Sequence, residues 1–239
     1  MLFGDMGFLP WFEFPQEYHF GGHTFVVCGY DRKQTVLCSD MEPQTIGLKK
    51  GFYHPVTLEQ LRKARGSKFK PFPPRNSWLE FDFSGFHQPA EIDIYSAIKQ
   101  TIDSQMNPPI KNIGIKGIKH TSNELLKWPG IFNDYELRMN LFSLYIYIEI
   151  GGTGGGCFRY MYSRFLEEAA KITKNNKLLG PSEKFMKSGE LFSATGQMFV
   201  DAERAGDLKE RIRQASSNFS KIYDIEAEAL KELSDSLIS

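Results

Sequence analysis

The sequence predicts an α+β protein in which a partial antiparallel sheet is followed by a mostly α-helical domain. Three observations carry that prediction. His23 to Tyr30 (HTFVVCGY) and Thr35 to Ser39 (TVLCS) are short runs rich in β-branched and aromatic residues, flanking the polar turn Asp31 to Gln34 (DRKQ), which is the pattern of a β-hairpin. From Pro89 onward apolar residues recur at spacings of three and four, beginning with Ile92, Tyr95, Ile98 and Ile102, which is a helical period. Between these parts, Lys68 to Ser77 (KFKPFPPRNS) holds three prolines, so it is expected as a linker or draped loop. The expected division is 1–77 and 78–239.

Taken in order, the first residues, MLFGDMGFLPWF, lead straight into apolar and aromatic side chains and read like the middle of a core strand. The hairpin runs are apolar at almost every position, so burial on both faces is expected. In TLEQLRKARG, Thr57 can cap a helix, Gln60 completes a capping box and Gly66 ends the helix. A short strand is expected over Trp78 to Phe83. The helix starting near Ile92 stops at Gln105 to Pro109 (QMNPP), and further helices are expected at 117–128, 134–149, 158–174, 182–204 and 207–237. In the last of these, Leu208, Ile212, Ala215, Phe219, Ile222, Ile225, Ala229 and Leu233 form one apolar stripe. No repeat is visible, and the one biased segment is Gly151 to Gly156.

Composition narrows the function classes. The 239 residues are 41% hydrophobic and 14% aromatic, too apolar for a disordered chain and sufficient for one large core or two smaller ones. Basic and acidic residues balance at 29 each, which gives no footprint for nucleic acid or an anionic membrane. The longest apolar stretch, Leu144 to Ile150, contains Glu149 and is too short to span a bilayer. The N-terminal residues lack a basic n-region, so they do not read as a signal peptide, and a cytoplasmic location is expected. Cys28, Cys38 and Cys157 are too scattered for a disulfide framework or a zinc cage; Cys28 and Cys38 lie in the hairpin and are expected as buried, reduced thiols.

Two features could carry chemistry. His23 begins the first hairpin strand and Asp40 follows the second, and the start of one antiparallel strand lies beside the end of the next. A carboxylate on one ring nitrogen would orient the imidazole and leave the other nitrogen to accept a proton from a thiol. The alternative is a strand-edge histidine beside a turn-forming aspartate. The second feature is the glycine-rich run of Gly152, Thr153, Gly154, Gly155 and Gly156, followed by Arg159 in GGGCFR. Such a loop before a helix can approach an anion. It fails the dinucleotide fingerprint, since Gly152, Gly154 and Cys157 give G-x-G-x-x-C without a βαβ unit. Glu149-Ile-Gly-Gly-Thr-Gly is also similar to the first motif of S-adenosylmethionine methyltransferases, although the downstream pattern is helical and not alternating. The plain alternative is a sharp helix-to-helix turn that packs closely through glycine. Glu13, Glu17, Tyr18 and His19 precede the imidazole and would either shape an acceptor pocket or be ordinary surface residues. His54, His87 and His120 have no partners at metal-ligand spacing; neither a metal nor a cofactor is expected.

The stretches FGGHTFVVCGYDRKQTVLCSD, LKKGFYHPVTLEQLRKAR and IEIGGTGGGCFRYMYSRFLEEAA resemble the butirosin biosynthesis protein H family, over nearly the whole chain. The resemblance implies a papain-like domain followed by a helical domain of unknown function that carries the G-T-G-G-G-x-F-R signature. It implies that His23 is the general base and Asp40 its orienting partner. It also implies acyl transfer from an acyl carrier protein, or another thioester donor, to an amine. Arg159 would belong to the helical-domain signature. Family members begin with a segment whose His-Cys motif supplies the nucleophile, and no such segment stands in this sequence. The expectation is therefore that Met1 is internal to a longer protein and that this form does not catalyse the family reaction. The alternatives are a shortened relative acting as a non-catalytic binding or assembly module, or a methyltransferase. Because a partial sheet leaves an unpaired edge, a homo-oligomer is expected.

Overall fold

The computed structural model describes residues 1–12, 19–31, 34–40, 52–150 and 156–237. It has two compact units, Met1–His87 and Gln88–Ser239.

The first unit is a four-stranded antiparallel sheet in the order β1 (Leu2–Gly4), β2 (His23–Tyr30), β3 (Thr35–Asp40) and β4 (Phe52–Thr57). The β2–β3 hairpin forms as the two apolar runs require. Its turn is tied by Asp31, whose N–H donates to the Thr35 carbonyl at 2.9 Å and whose carboxylate accepts from Thr35 N–H at 2.8 Å. A β-bulge between Val27 and Gly29 shifts the register. Burial on both faces does not occur. Phe25, Val36, Cys38 and Val56 are buried against Leu9, Phe12, Leu61 and Ala64, whereas Val26, Leu37 and Tyr53 are exposed. Apolar side chains on both faces state a preference for burial, but among the described residues a covering layer exists on one face alone.

The apolar start forms β1, which pairs Leu2 with Phe25 and Gly4 with His23. β4 was not anticipated, because Pro55 interrupts its pattern. As the outermost strand, β4 can carry a proline without breaking an interior ladder. Helix α1 (Leu58–Gly66) begins with the capping box that the sequence predicts, Thr57 Oγ1 accepting from Gln60 N–H at 3.2 Å and Gln60 Oε1 accepting from Thr57 N–H at 3.0 Å. The expected strand at Trp78 to Phe83 is absent. A single bridge joins Trp78 to Leu2, and Trp78, Phe81 and Phe83 are exposed. The alternation in WLEFDF has no further partner strand, and an unpaired strand has no ladder to hold it.

In the second unit the described regular structure is helical: α2 (Glu91–Met106), α3 (Gly114–Leu125), the short α4 (Trp128–Ile131), α5 (Asp134–Tyr145), α6 (Cys157–Thr173), α7 (Leu179–Gln197) and α8 (Leu208–Ser236). A π-helical turn, Ile146–Ile150, extends α5 where a plain helix was expected. α7 stops at Gln197, and Phe199 and Ala202, expected in the same helix, are fully buried in the turns that follow.

α8 links two cores. Its first half places Leu208, Ile212, Ala215, Phe219 and Ile222 among residues of α3, α5 and α7. Its second half places Ala229, Leu230 and Leu233 among residues of α2, α6 and α7. The stripe read from sequence is correct except at one turn, where Ile225 is half-buried and Glu226 is 2% exposed. Since Ile222 is fully buried in the first core, Ile222→Ala leaves a cavity and should cost about 2–5 kcal/mol of stability in urea unfolding.

Candidate functional site

The sheet register brings His23 and Asp40 together. Val26 pairs with Ser39, and continuing that ladder sets Asp40 across from Phe25, two residues along from His23. This diagonal lies on one face of the sheet and within reach of longer side chains. His23 Nε2 stands 2.6 Å from Asp40 Oδ2, and Trp11 Nε1–H donates to the same oxygen at 2.9 Å. Phe12 meets the imidazole edge-on at 5.1 Å. The carboxylate side chain is 5% exposed and the imidazole 22%, so the acid is sheltered while the base reaches the surface. With Nε2 committed to Asp40, Nδ1 makes no hydrogen bond among the described residues and is the nitrogen through which the ring can exchange a proton.

The thiols stand apart from this pair. Cys38 is fully buried, and its pKa is pushed up to about 11, first by burial and then by the nearby Cys28 and Asp40; at neutral pH it is a thiol, not a thiolate. Cys28, expected to be buried, is exposed, because it is the residue displaced at the β2 bulge. Cys157 opens α6, and its side chain lies outside the described residues. His54 pairs with Cys38 across the ladder and stacks on Trp11 at 4.7 Å.

A second histidine–aspartate pair, missed in the sequence, lies just before the first. Asp5 is 1% exposed. It accepts from Gly7 N–H at 3.0 Å, Phe20 N–H at 3.1 Å and Ser67 Oγ–H at 2.5 Å. His19 Nδ1 completes the set at 3.0 Å, its ring stacked 3.5 Å from that of Phe69. His19 is thus a core clamp and not a surface residue. Glu13, Glu17 and Tyr18 lie outside the described residues. In the sequence Asp5 stands out as the one acid in an apolar run, which is the signal that a buried carboxylate leaves.

In the helical unit, Gly152, Thr153, Gly154 and Gly155 lie outside the described residues, while Gly156 and Arg159 are placed. A Cβ on Gly156 would come within 2.5 Å of the Gly189 carbonyl oxygen and 2.8 Å of Ser193 Oγ, so the start of α6 approaches α7 as only glycine permits. Arg159 Nε donates to Glu226 Oε1 at 2.9 Å, its guanidinium lies 4.1 Å from the centre of the Phe192 ring, and Ser188 Oγ donates to the same carboxylate oxygen at 2.5 Å. Arg159 is therefore committed to a buried ion pair. A helix and a π-turn, not a strand, precede the glycines, which removes one resemblance to the methyltransferase motif.

Glu149, in the π-turn, is the acid that burial perturbs. Its pKa is raised by desolvation, against hydrogen bonds from the Ser193 side chain and the Gly156 backbone. A carboxyl whose folded pKa is raised contributes stability below its ordinary value of 4.5 and loses it as pH rises through the folded value. Glu149→Gln should therefore melt increasingly above the parent protein as pH is raised from below 4.5 to neutrality, read as the difference in Tm across that range.

Among the described residues no group of three or more His, Cys, Asp or Glu side chains could hold a metal ion, and no helix is long and apolar enough to cross a membrane. No curated protein matches the chain. The family model for a domain of unknown function, DUF4872, matches residues 59–233, from the start of α1 to the last turn of α8; the chain belongs to the DUF4872 family.

Proposed function

We propose that the first unit supplies the proton-transfer half of a papain-like, cysteine-dependent acyl-transfer or thioester-processing site, as the resemblance to the butirosin biosynthesis protein H family implies. The observation that carries the reading is the 2.6 Å contact between His23 Nε2 and Asp40 Oδ2. In this scheme Nδ1 takes the proton of an attacking thiol while Asp40 stabilises the imidazolium. The thiolate adds to the thioester carbonyl, the donor's sulfur leaves with a proton returned from the imidazolium, and an acyl-thiol intermediate remains. An incoming amine then attacks, His23 accepts its proton, and the protein thiol is released. An acyl carrier protein or another thioester suits the donor role, in the cytoplasm. Cys38 does not suit the nucleophile role, since it is buried and its pKa is about 11; the reading requires another thiol.

The alternative of a non-catalytic binding or assembly module draws support from Arg159, whose pairing with Glu226 places one signature residue in the packing of the helices. The exposed apolar side chains of Val26, Leu37 and Tyr53 on the sheet support self-association in either case.

The test is thiol release from an acyl thioester in the presence of an amine, on the gene product that carries its nucleophile. His23→Ala should lower the rate by at least about 100-fold, the low end of what a positioned acid–base group contributes, with Asp40→Asn reducing it as well. A rate indifferent to His23→Ala contradicts the reading.

A further inference from the structure

We propose that a groove in the first unit, between Gly21–Gly22 and the loop Pro71–Ser77, is a binding site for a single-chain anionic amphiphile, with Arg75 reading the anion. The groove encloses about 320 Å³, a volume suited to a small ligand. Its walls are mostly apolar: Gly21, Gly22, Phe72 and Pro74 line it, with Arg75 and Ser77 at its polar side. Phe72 rests edge-on against Phe20 at 5.4 Å and still leaves 55% of its surface uncovered.

The loop is held in shape. A Cβ on Gly21 would lie 2.3 Å from both the Phe72 carbonyl oxygen and the Pro74 ring, so the prolines press directly on glycine backbone. Arg75 and Asn76 both adopt left-handed conformations, at φ 55° each, which a non-glycine residue keeps only where its surroundings impose it. Here Asn76 N–H donates to the Arg65 carbonyl at 2.9 Å, the Arg65 guanidinium returns a bond to the Asn76 carbonyl at 2.7 Å, and Phe3 N–H donates to the Ser77 carbonyl at 3.1 Å. The backbone at Arg75 is thus fixed from both sides, while its side chain makes no ion pair or hydrogen bond among the described residues.

Charge decides the class of ligand. Among the described residues, Arg75 is the one charged residue lining the groove. Around it the chain carries Arg62, Lys63, Arg65, Lys68, Lys70 and Arg75 with no acid between Glu59 and Glu80. An apolar trough with a guanidinium unpaired among the described residues fits a hydrocarbon chain that bears a phosphate or carboxylate, since a guanidinium gives such groups strong, charge-assisted hydrogen bonds. Gly22, on one wall of the groove, immediately precedes His23 in the chain. Binding is nevertheless read without any reaction, so its outcome is separate from that of the acyl-transfer reading.

The experiment is isothermal titration of the full chain with monomeric n-octyl phosphate. Octyl glucoside serves as the chain without the anion and inorganic phosphate as the anion without the chain. The expected result is one saturable site, with each half-ligand at least about tenfold weaker. Arg75→Gln should weaken octyl phosphate by at least about tenfold, a modest share of what a charge-assisted bond supplies, and Arg75→Lys should restore part of it. Ser77→Trp, checked for an unchanged melting curve, should fill the groove and abolish binding. Octyl phosphate affinity indifferent to both Arg75→Gln and Ser77→Trp overturns the proposal, as does the absence of saturable binding. So does preferential binding to phosphatidylglycerol vesicles over the monomeric ligand, which would assign the loop to a lipid surface.

Discussion

A carboxylate taken out of water must be surrounded by donors, and three such groups organise this protein. Asp5 is 1% exposed, Asp40 9% and Glu226 2%. Each is met by a nitrogen base or cation and by a further polar donor: His19 with Ser67 at Asp5, His23 with Trp11 at Asp40, Arg159 with Ser188 at Glu226. Removing one partner from a buried, hydrogen-bonded charge leaves the other uncompensated, which is costly by several times the net worth of a surface pair. These three acids therefore fix details that apolar packing alone leaves loose: the path of the chain into β2, the end of β3, and the junction of the two helical cores along α8.

Asp5 and Asp40 act in succession on the same piece of chain. Asp5 accepts from the Phe20 backbone and from His19, so it pins the residues that run through Gly21 and Gly22 into β2. Asp40 then takes the imidazole of His23, the first residue of that strand. Trp11, bonded to Asp40 and stacked on His54, closes the same end of the sheet. The imidazole is held on one nitrogen by a sheltered acid, and its other nitrogen makes no hydrogen bond among the described residues.

What was legible in the sequence was what local pattern controls. The hairpin, the capping box at Thr57 and the stripe of α8 follow from periods of two and of three to four and from cap chemistry, all of which act over a few residues. The meeting of His23 and Asp40 was legible for the same reason, because a hairpin makes a sequence neighbour of its cross-strand partner. Trp11, Asp5 and His19 were not, since the Trp11–Asp40 and Asp5–Ser67 hydrogen bonds and the stacking of His19 on Phe69 depend on long-range closure that no period encodes. β4 was hidden by Pro55, tolerated because the strand is outermost. The expected strand at Trp78 to Phe83 had the right alternation, but its pairing ends at the bridge with Leu2 among the described residues. Glu226 is no part of the apolar stripe by residue type, yet its pairing with Arg159 lets it enter the buried face. Cys28 was read as buried because a bulge cannot be seen in a run of apolar residues.

The central claim is that Asp40 holds His23 with its Nε2 protonated and its Nδ1 free for proton exchange. It is tested most directly by nitrogen-15 NMR of the histidine rings of the full chain, comparing the parent protein with Asp40→Asn. The account predicts that the Nε2–H tautomer dominates the neutral form of the His23 ring, with the Nε2 proton in a strong hydrogen bond that weakens on Asp40→Asn. A ring predominantly in the Nδ1–H tautomer, or one whose spectrum ignores the loss of the Asp40 carboxylate, would contradict it.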